Sequence, residues 1–106
     1  MNKIFLILVL ILVIFISGCV GQRTDDATKA KDACIQKCKD TVKAGNNLSK
    51  GPCLSNKIIE GWVCDVAHSP RQTVDDEPAN QCSEFGKSAS SFIEVDSNCS
   101  FIRSYP

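Results

Sequence analysis

The sequence predicts a small α+β domain, with one N-terminal helix packed on a short antiparallel sheet and disulfides standing in for a large core. Three observations predict it. Six cysteines fall within residues 34–99 of a 106-residue chain, a density suited to small scaffolds that cannot bury enough apolar surface to fold without cross-links. Residues 27–43 carry apolar or small side chains three and four apart, the period of a helix buried along one stripe. Residues 62–68 and 92–103 alternate or run apolar between turn residues, the pattern of strands.

The helix stripe is Ala27, Ala30, Cys34, Cys38, Thr41 and Val42, with Lys29, Lys31, Asp32, Gln36, Lys37, Lys39, Asp40 and Lys43 on the other faces. Asp25 and Asp26 suit its N-terminus, where a carboxylate caps free N–H groups and meets the positive end of the dipole. Gly45 suits the position just past its C-terminus. A helix of about 17 residues follows. Cys34 and Cys38 then share one face with Cβ atoms about 5 to 6 Å apart, whereas a disulfide requires about 3.5 to 4.5 Å. They do not pair with each other, so each is expected to staple the helix to another element. That removes three of the fifteen pairings open to six cysteines and leaves about twelve, among which the sequence does not choose.

Residues 45–52 hold Gly45, Asn46, Asn47, Gly51 and Pro52 and read as a loop closed by Cys53. Ile58 and Ile59 form a short apolar patch. Trp62, Cys64 and Val66 alternate onto one face of a strand, with Asp65 on the other, and Ser69-Pro70 ends it. Residues 72–91 show little periodicity and read as a long loop pinned by Cys82, with one helical turn near residues 84–87. A loop of that length in a small domain is unusual enough to draw a functional reading. Residues 92–95 and 99–103 flank Asp96-Ser97-Asn98 and predict a β-hairpin that brings Glu94 and Arg103 together.

The remaining cysteine, Cys19, belongs to the leader. Lys3 is followed by thirteen consecutive apolar residues, 4–16, the length of a signal-peptide h-region and short of the about 20 residues that span a bilayer. Ile16-Ser17-Gly18-Cys19 resembles the lipobox of exported lipoproteins. That resemblance implies that the Cys19 thiol takes a lipid, that residues 1–18 are removed, and that the product sits on the extracytoplasmic face of the cell membrane. Residues 20–27 are polar and short and read as a tether, so residues 19–27 are the lipidated cysteine and tether and residues 28–106 the extracytoplasmic domain. Seven cysteines are an odd number, and removing Cys19 leaves the even set Cys34, Cys38, Cys53, Cys64, Cys82 and Cys99 for disulfides. An uncleaved single span carrying the same domain is the alternative form of attachment.

Charge and spacing narrow the function. Beyond the leader, eleven Lys and Arg face twelve Asp and Glu, so there is no basic stripe for nucleic acid and no polybasic cluster for anionic lipid. The cysteine spacings contain no C-x2-C pair, which disfavours a zinc site and a thioredoxin-like redox role; no metal and no cofactor are predicted. His68, the only histidine, could serve as a general base with Arg71 binding an anion. Asp65 points to the opposite face of the strand, so Asp75 or Asp76 would have to orient it. The simpler reading is a strand-end histidine bonded to the following loop, since no nucleophile motif accompanies it. Asp75-Asp76-Glu77 with Asn80 lacks the alternate spacing of calcium loops and reads as a solvated acidic loop. Asn47-Leu48-Ser49 and Asn98-Cys99-Ser100 match the N-glycosylation acceptor pattern, Asn47 being the better placed.

Gly51-Pro52-Cys53-Leu54, residues 62–71, Asn80-Gln81-Cys82 and Glu94-Val95-Asp96 are similar to stretches of a group of small cysteine-rich exported proteins from archaea. The resemblance implies no activity, and adds weight to the stretch around His68. A binding or structural module of the cell envelope, with an envelope partner or ligand, is the expected function. A small envelope enzyme built on His68 and Arg71 is the alternative. Catalysis would require His68, a carboxylate and Arg71 to converge in one concave site.

Overall fold

The computed structural model describes residues 22–106; the leader, Cys19 and the predicted cleavage lie outside the described residues. Helix α1 spans Gln22–Lys43 and is followed by strands β1 Cys53–Ile59, β2 Trp62–Val66, β3 Ser91–Val95 and β4 Phe101–Tyr105. The strands form one sheet in the order β1-β2-β3-β4, and α1 packs on one of its faces. The predicted α+β class is what the structure shows. Among the described residues, no helix is long and apolar enough to cross a membrane.

The helix ends where the sequence places its end. Gly45 has φ 91°; its N–H bonds the Val42 carbonyl, and the Asn46 N–H bonds the Thr41 carbonyl. These are the two reverse bonds of a Schellman cap, which satisfy carbonyls the helix itself cannot. Its start differs. Residues 22–27 are already helical, because nothing there breaks a helix and Asp25 pairs with Lys29 one turn on, at 3.3 Å. The buried stripe is Ala30, Cys34 and Cys38, flanked by Ala27 and Ile35. Val42 lies outside it, 46 % exposed.

The core between helix and sheet joins Ala30, Cys34 and Cys38 to Trp62, Cys64 and Val66 of β2 and to Ile93 and Val95 of β3, with Leu48 closing one end. Two bridges run through this layer: Cys34–Cys64 ties α1 to β2, and Cys38–Cys99 ties it to the β3–β4 turn. The third, Cys53–Cys82, fastens the long connection after β2 to β1. It lies with Val63 and Ala89 in a second, smaller apolar cluster. Cys34 and Cys38 therefore staple the helix to two different elements, as their spacing requires.

Two pairings in the sheet are antiparallel, but β2 and β3 are parallel, in register from Trp62↔Ser91 to Val66↔Val95. The sheet is mixed rather than wholly antiparallel. A parallel pair needs a crossover of a dozen or more residues, and residues 67–90 supply it. That segment holds two 3₁₀ turns, Thr73–Asp76 and Pro78–Asn80, and further turns at residues 83–88 in place of the predicted helical turn. Strand β1 was not predicted beyond its last two isoleucines. Its register with β2 shifts between Cys53, Ser55 and Ile59, so Asn56 and Lys57 are both exposed and the alternation that marks a strand is lost.

Candidate functional site

Side-chain alternation puts Val63 and Asp65 of β2 on the helix-free face, beside Phe92 and Glu94 of β3. The registers Asp65↔Glu94 and Glu94↔Arg103 line up Asp65, Glu94 and Arg103 across three strands, and Phe92↔Tyr105 sets an aromatic pair beside them. The crossover brings Arg71 and Phe85 over this face. Together they line a cleft of about 250 Å³.

Glu94 is 5 % exposed and is neutralised from two sides. Arg103 donates to it from Nε at 2.9 Å and from Nη2 at 3.3 Å, and Arg71 donates from Nη1 at 3.2 Å. The predicted Glu94–Arg103 contact is present, in the paired geometry that makes guanidinium–carboxylate bonds strong. Arg71 also donates from Nε to Asp76 at 2.8 Å. Along the wall, Phe85 meets Phe92 edge-on at 5.2 Å and Phe92 stacks on Tyr105 at 5.7 Å.

Asp65 is the exceptional group. Its Oδ1 is buried and has no hydrogen-bond partner. Burial, and then repulsion from Glu94, push its carboxyl up to about 7 against the opposing pull of Arg71. The folded state therefore holds this proton more tightly than the unfolded chain, so the protein loses stability as pH rises from about 4 to about 7. Asp65→Asn keeps the shape and removes the charge. At pH 8 it is expected to raise the unfolding free energy by roughly 2 to 3 kcal/mol, once solvent at the cleft mouth is allowed for. At pH 4 it should change little. Urea melts of both proteins at the two pH values check this; equal slopes against pH would contradict it.

His68 lies on the other side of the crossover. Asp75, 2 % exposed, accepts the His68 N–H at 3.0 Å, the Gln72 N–H at 2.9 Å and the His68 ring Nδ1–H at 2.8 Å. Burial raises the Asp75 carboxyl, but the bonds from Gln72 and His68 outweigh it and hold the group below the usual carboxylate range. Asp75 does come round to His68, and Asp65 does not. Gly51 makes room for it: with φ 67°, a Cβ there would lie 2.5 Å from Asp75 Oδ1 and 3.0 Å from the Val66 carbonyl.

His68 and Arg71 do not converge. His68 lines a separate cavity of about 180 Å³ with Ser69, Gln72 and Asn98, while Arg71 lines the Asp65 cleft. The three candidates His68, Arg71 and Asp75 thus form a loop latch with an ion pair beside it. The acidic run is likewise engaged: Asp75 by His68, Asp76 by Arg71, and Asn80 by the Val74 carbonyl at 3.0 Å. Among the described residues, no group of three or more His, Cys, Asp or Glu is placed to hold a metal. Asn47 is exposed, its Oδ1 accepting the Ser49 N–H at 2.8 Å, and Asn98 is exposed in the β3–β4 turn.

Sequence reasoning found the Glu94–Arg103 contact but not the cleft. The parallel pairing that puts Asp65 beside Glu94 left no local mark, and Phe85 lay in a segment read as plain loop. Compared with known proteins, the chain matches no family model, no curated protein and no solved structure.

Proposed function

We propose that the chain is an exported module tethered to the extracytoplasmic face of the cell membrane by a lipid on Cys19, and that its disulfide-locked domain acts as a binding module of the cell envelope. The observation that carries this is the use of the cysteines. Cys34, Cys38, Cys53, Cys64, Cys82 and Cys99 are all consumed in three bridges, a state that belongs to an oxidising compartment. Cys19 is left over, behind an apolar leader and inside a lipobox-like Ile16-Ser17-Gly18-Cys19. Binding is favoured over catalysis because His68 and Arg71 line different cavities, so the base and the anion-binding group that the catalytic reading needs together lie apart. Among the described residues, the Asp65 cleft is a concave feature beside a polar atom without a partner.

In Cys19→Ser, the thiol that takes the lipid is gone and the leader is expected to stay on. The variant should migrate as the full-length chain, and wild type from the same membranes as a shorter one. Equal migration would contradict processing at Cys19 and favour the uncleaved span.

A further inference from the structure

We propose that the anchored domain rests on the membrane through one end of its sheet, with Phe85 and Tyr105 set into the phospholipid headgroup layer and the opposite end, beside the His68 cavity, facing away. The inference rests on the reading of Cys19 as the lipid-bearing residue, and adds the surface through which the domain meets the bilayer.

The direction of α1 fixes which end this is. Cys34 Sγ lies 3.9 Å from the Ile93 carbonyl and Cys38 Sγ 3.9 Å from the Asp96 carbonyl, so α1 advances along β3 in the direction of β3 itself. Its first residue, Gln22, therefore lies toward the beginnings of β2 and β3. There the Ser91 N–H bonds the Gly61 carbonyl, and Tyr105 at the end of β4 pairs with Phe92. Cys19 precedes Gln22 by three residues, which reach at most about 11 Å. From Gln22 to Cys38 the helix runs about 24 Å. A lipid on Cys19 thus keeps the beginnings of β2 and β3 near the membrane. The β3–β4 turn, with the His68 cavity beside it, is held away unless α1 lies flat.

Surface chemistry decides which way the domain leans. The outer face of α1 carries Lys29, Asp32, Gln36, Lys39, Asp40 and Lys43, all exposed. That face offers the bilayer no apolar group, and its mixed charges are no polybasic cluster for anionic lipid. The helix-free face differs at this end. Phe85 is 41 % exposed and Tyr105 57 %, and the two rings meet edge-on at 6.3 Å. Among the other described residues, Phe101 lies under the Lys31 ammonium at 4.3 Å, and Val42 is exposed near the far end of α1. A tyrosine ring with its polar tip suits the boundary between headgroups and acyl chains. Neighbouring charges do not oppose the contact: Lys57 and Glu60 beside the β1–β2 turn pair at 2.8 Å, and Arg103 is bonded to Glu94. The contact therefore needs no anionic lipid.

The test uses the full chain with its native anchor, in phosphatidylcholine nanodiscs that carry a gadolinium chelate on a fraction of the headgroups. It reads the paramagnetic relaxation of backbone amides, which falls as the inverse sixth power of distance. With about 24 Å between the two ends, the enhancement at Gly61, Phe85 and Tyr105 should exceed that at Asn46, Ser97 and Asn98 at least about tenfold. Phe85→Ser combined with Tyr105→Ser should cut the enhancement at Gly61 about threefold or more, Tyr105→Ser alone should give part of that loss, and Val42→Ser should give none. Wild-type amide shifts at Cys34 and Ile93 report that each variant is folded. Equal enhancement at the two ends would overturn the docking and leave the anchor standing, as would a Gly61 signal that neither aromatic variant changes. A chain that elutes apart from the nanodiscs would overturn the anchor, and the docking with it.

Discussion

Replacing Cys34 and Cys64 together by alanine is expected to lower the unfolding free energy by about 4 to 6 kcal/mol, the largest loss among the three bridges. The bridge closes a loop of sequence separation 30, and releasing such a loop in the unfolded chain is worth about 3 to 4 kcal/mol. Both cysteines are also fully buried, at 0 % exposure, so truncation leaves unfilled space beneath α1 and adds to the cost. Cys38–Cys99 spans the longer separation, 61. Doubling a loop adds only about 0.6 kcal/mol, and Cys99 sits at the edge of the core, so the loss there should be smaller. Cys53–Cys82 has a separation of 29 and should cost about 3 kcal/mol. Domains of this size are stable by about 5 to 15 kcal/mol, so the Cys34/Cys64 double variant is expected to be largely unfolded at elevated temperature. Denaturant melts of the three double variants test the ranking, and a loss below about 1 kcal/mol for Cys34/Cys64 would show that the helix is held by something else.

Removing the Asp75 carboxylate is expected to cost about 3 to 4 kcal/mol, because it strands three donors at once inside the crossover. Asp75→Ala leaves the His68 and Gln72 N–H groups and the His68 ring without their acceptor. His68→Ala removes only one of the three, and the His68 side chain is 21 % exposed, so about 1 kcal/mol is expected there. A large loss at Asp75 beside a small one at His68 marks a latch that holds the crossover; comparable losses would mean that the imidazole itself matters. The pH dependence follows from the sign of the shift. A depressed folded-state pKa stabilises the protein above the unfolded value, about 3.9, and this contribution fades as pH falls through the folded-state value. The gap between wild type and Asp75→Ala should therefore narrow as pH falls below about 3.9.

These two changes also show what could be read from the chain. The helix end was legible because Gly45 carries its signal locally; its start was not, because Asp25 serves equally as a cap or as a first-turn partner of Lys29. The rule that Cys34 and Cys38 cannot pair follows from helix geometry alone, while their partners at Cys64 and Cys99 depend on where the sheet lies. The β3–β4 hairpin was legible, with its Glu94–Arg103 pair, since a short turn fixes register. The direction of β3 against β2 was not, because it is set by residues 67–90, whose path is held by Asp75 and Cys82 rather than by periodicity. The Asp65 cleft is a product of that path. His68 and Arg71, three apart in sequence and alike in promise, are turned by the same crossover into different cavities.

The most direct test of an anchored, disulfide-locked module is the intact mass of the protein extracted from membranes, alkylated before and after reduction. The account predicts a chain beginning at Cys19 and carrying a lipid, with no alkylation before reduction and six alkylated thiols after it. A full-length mass with thiols that react without reduction would contradict both the anchor and the disulfide framework.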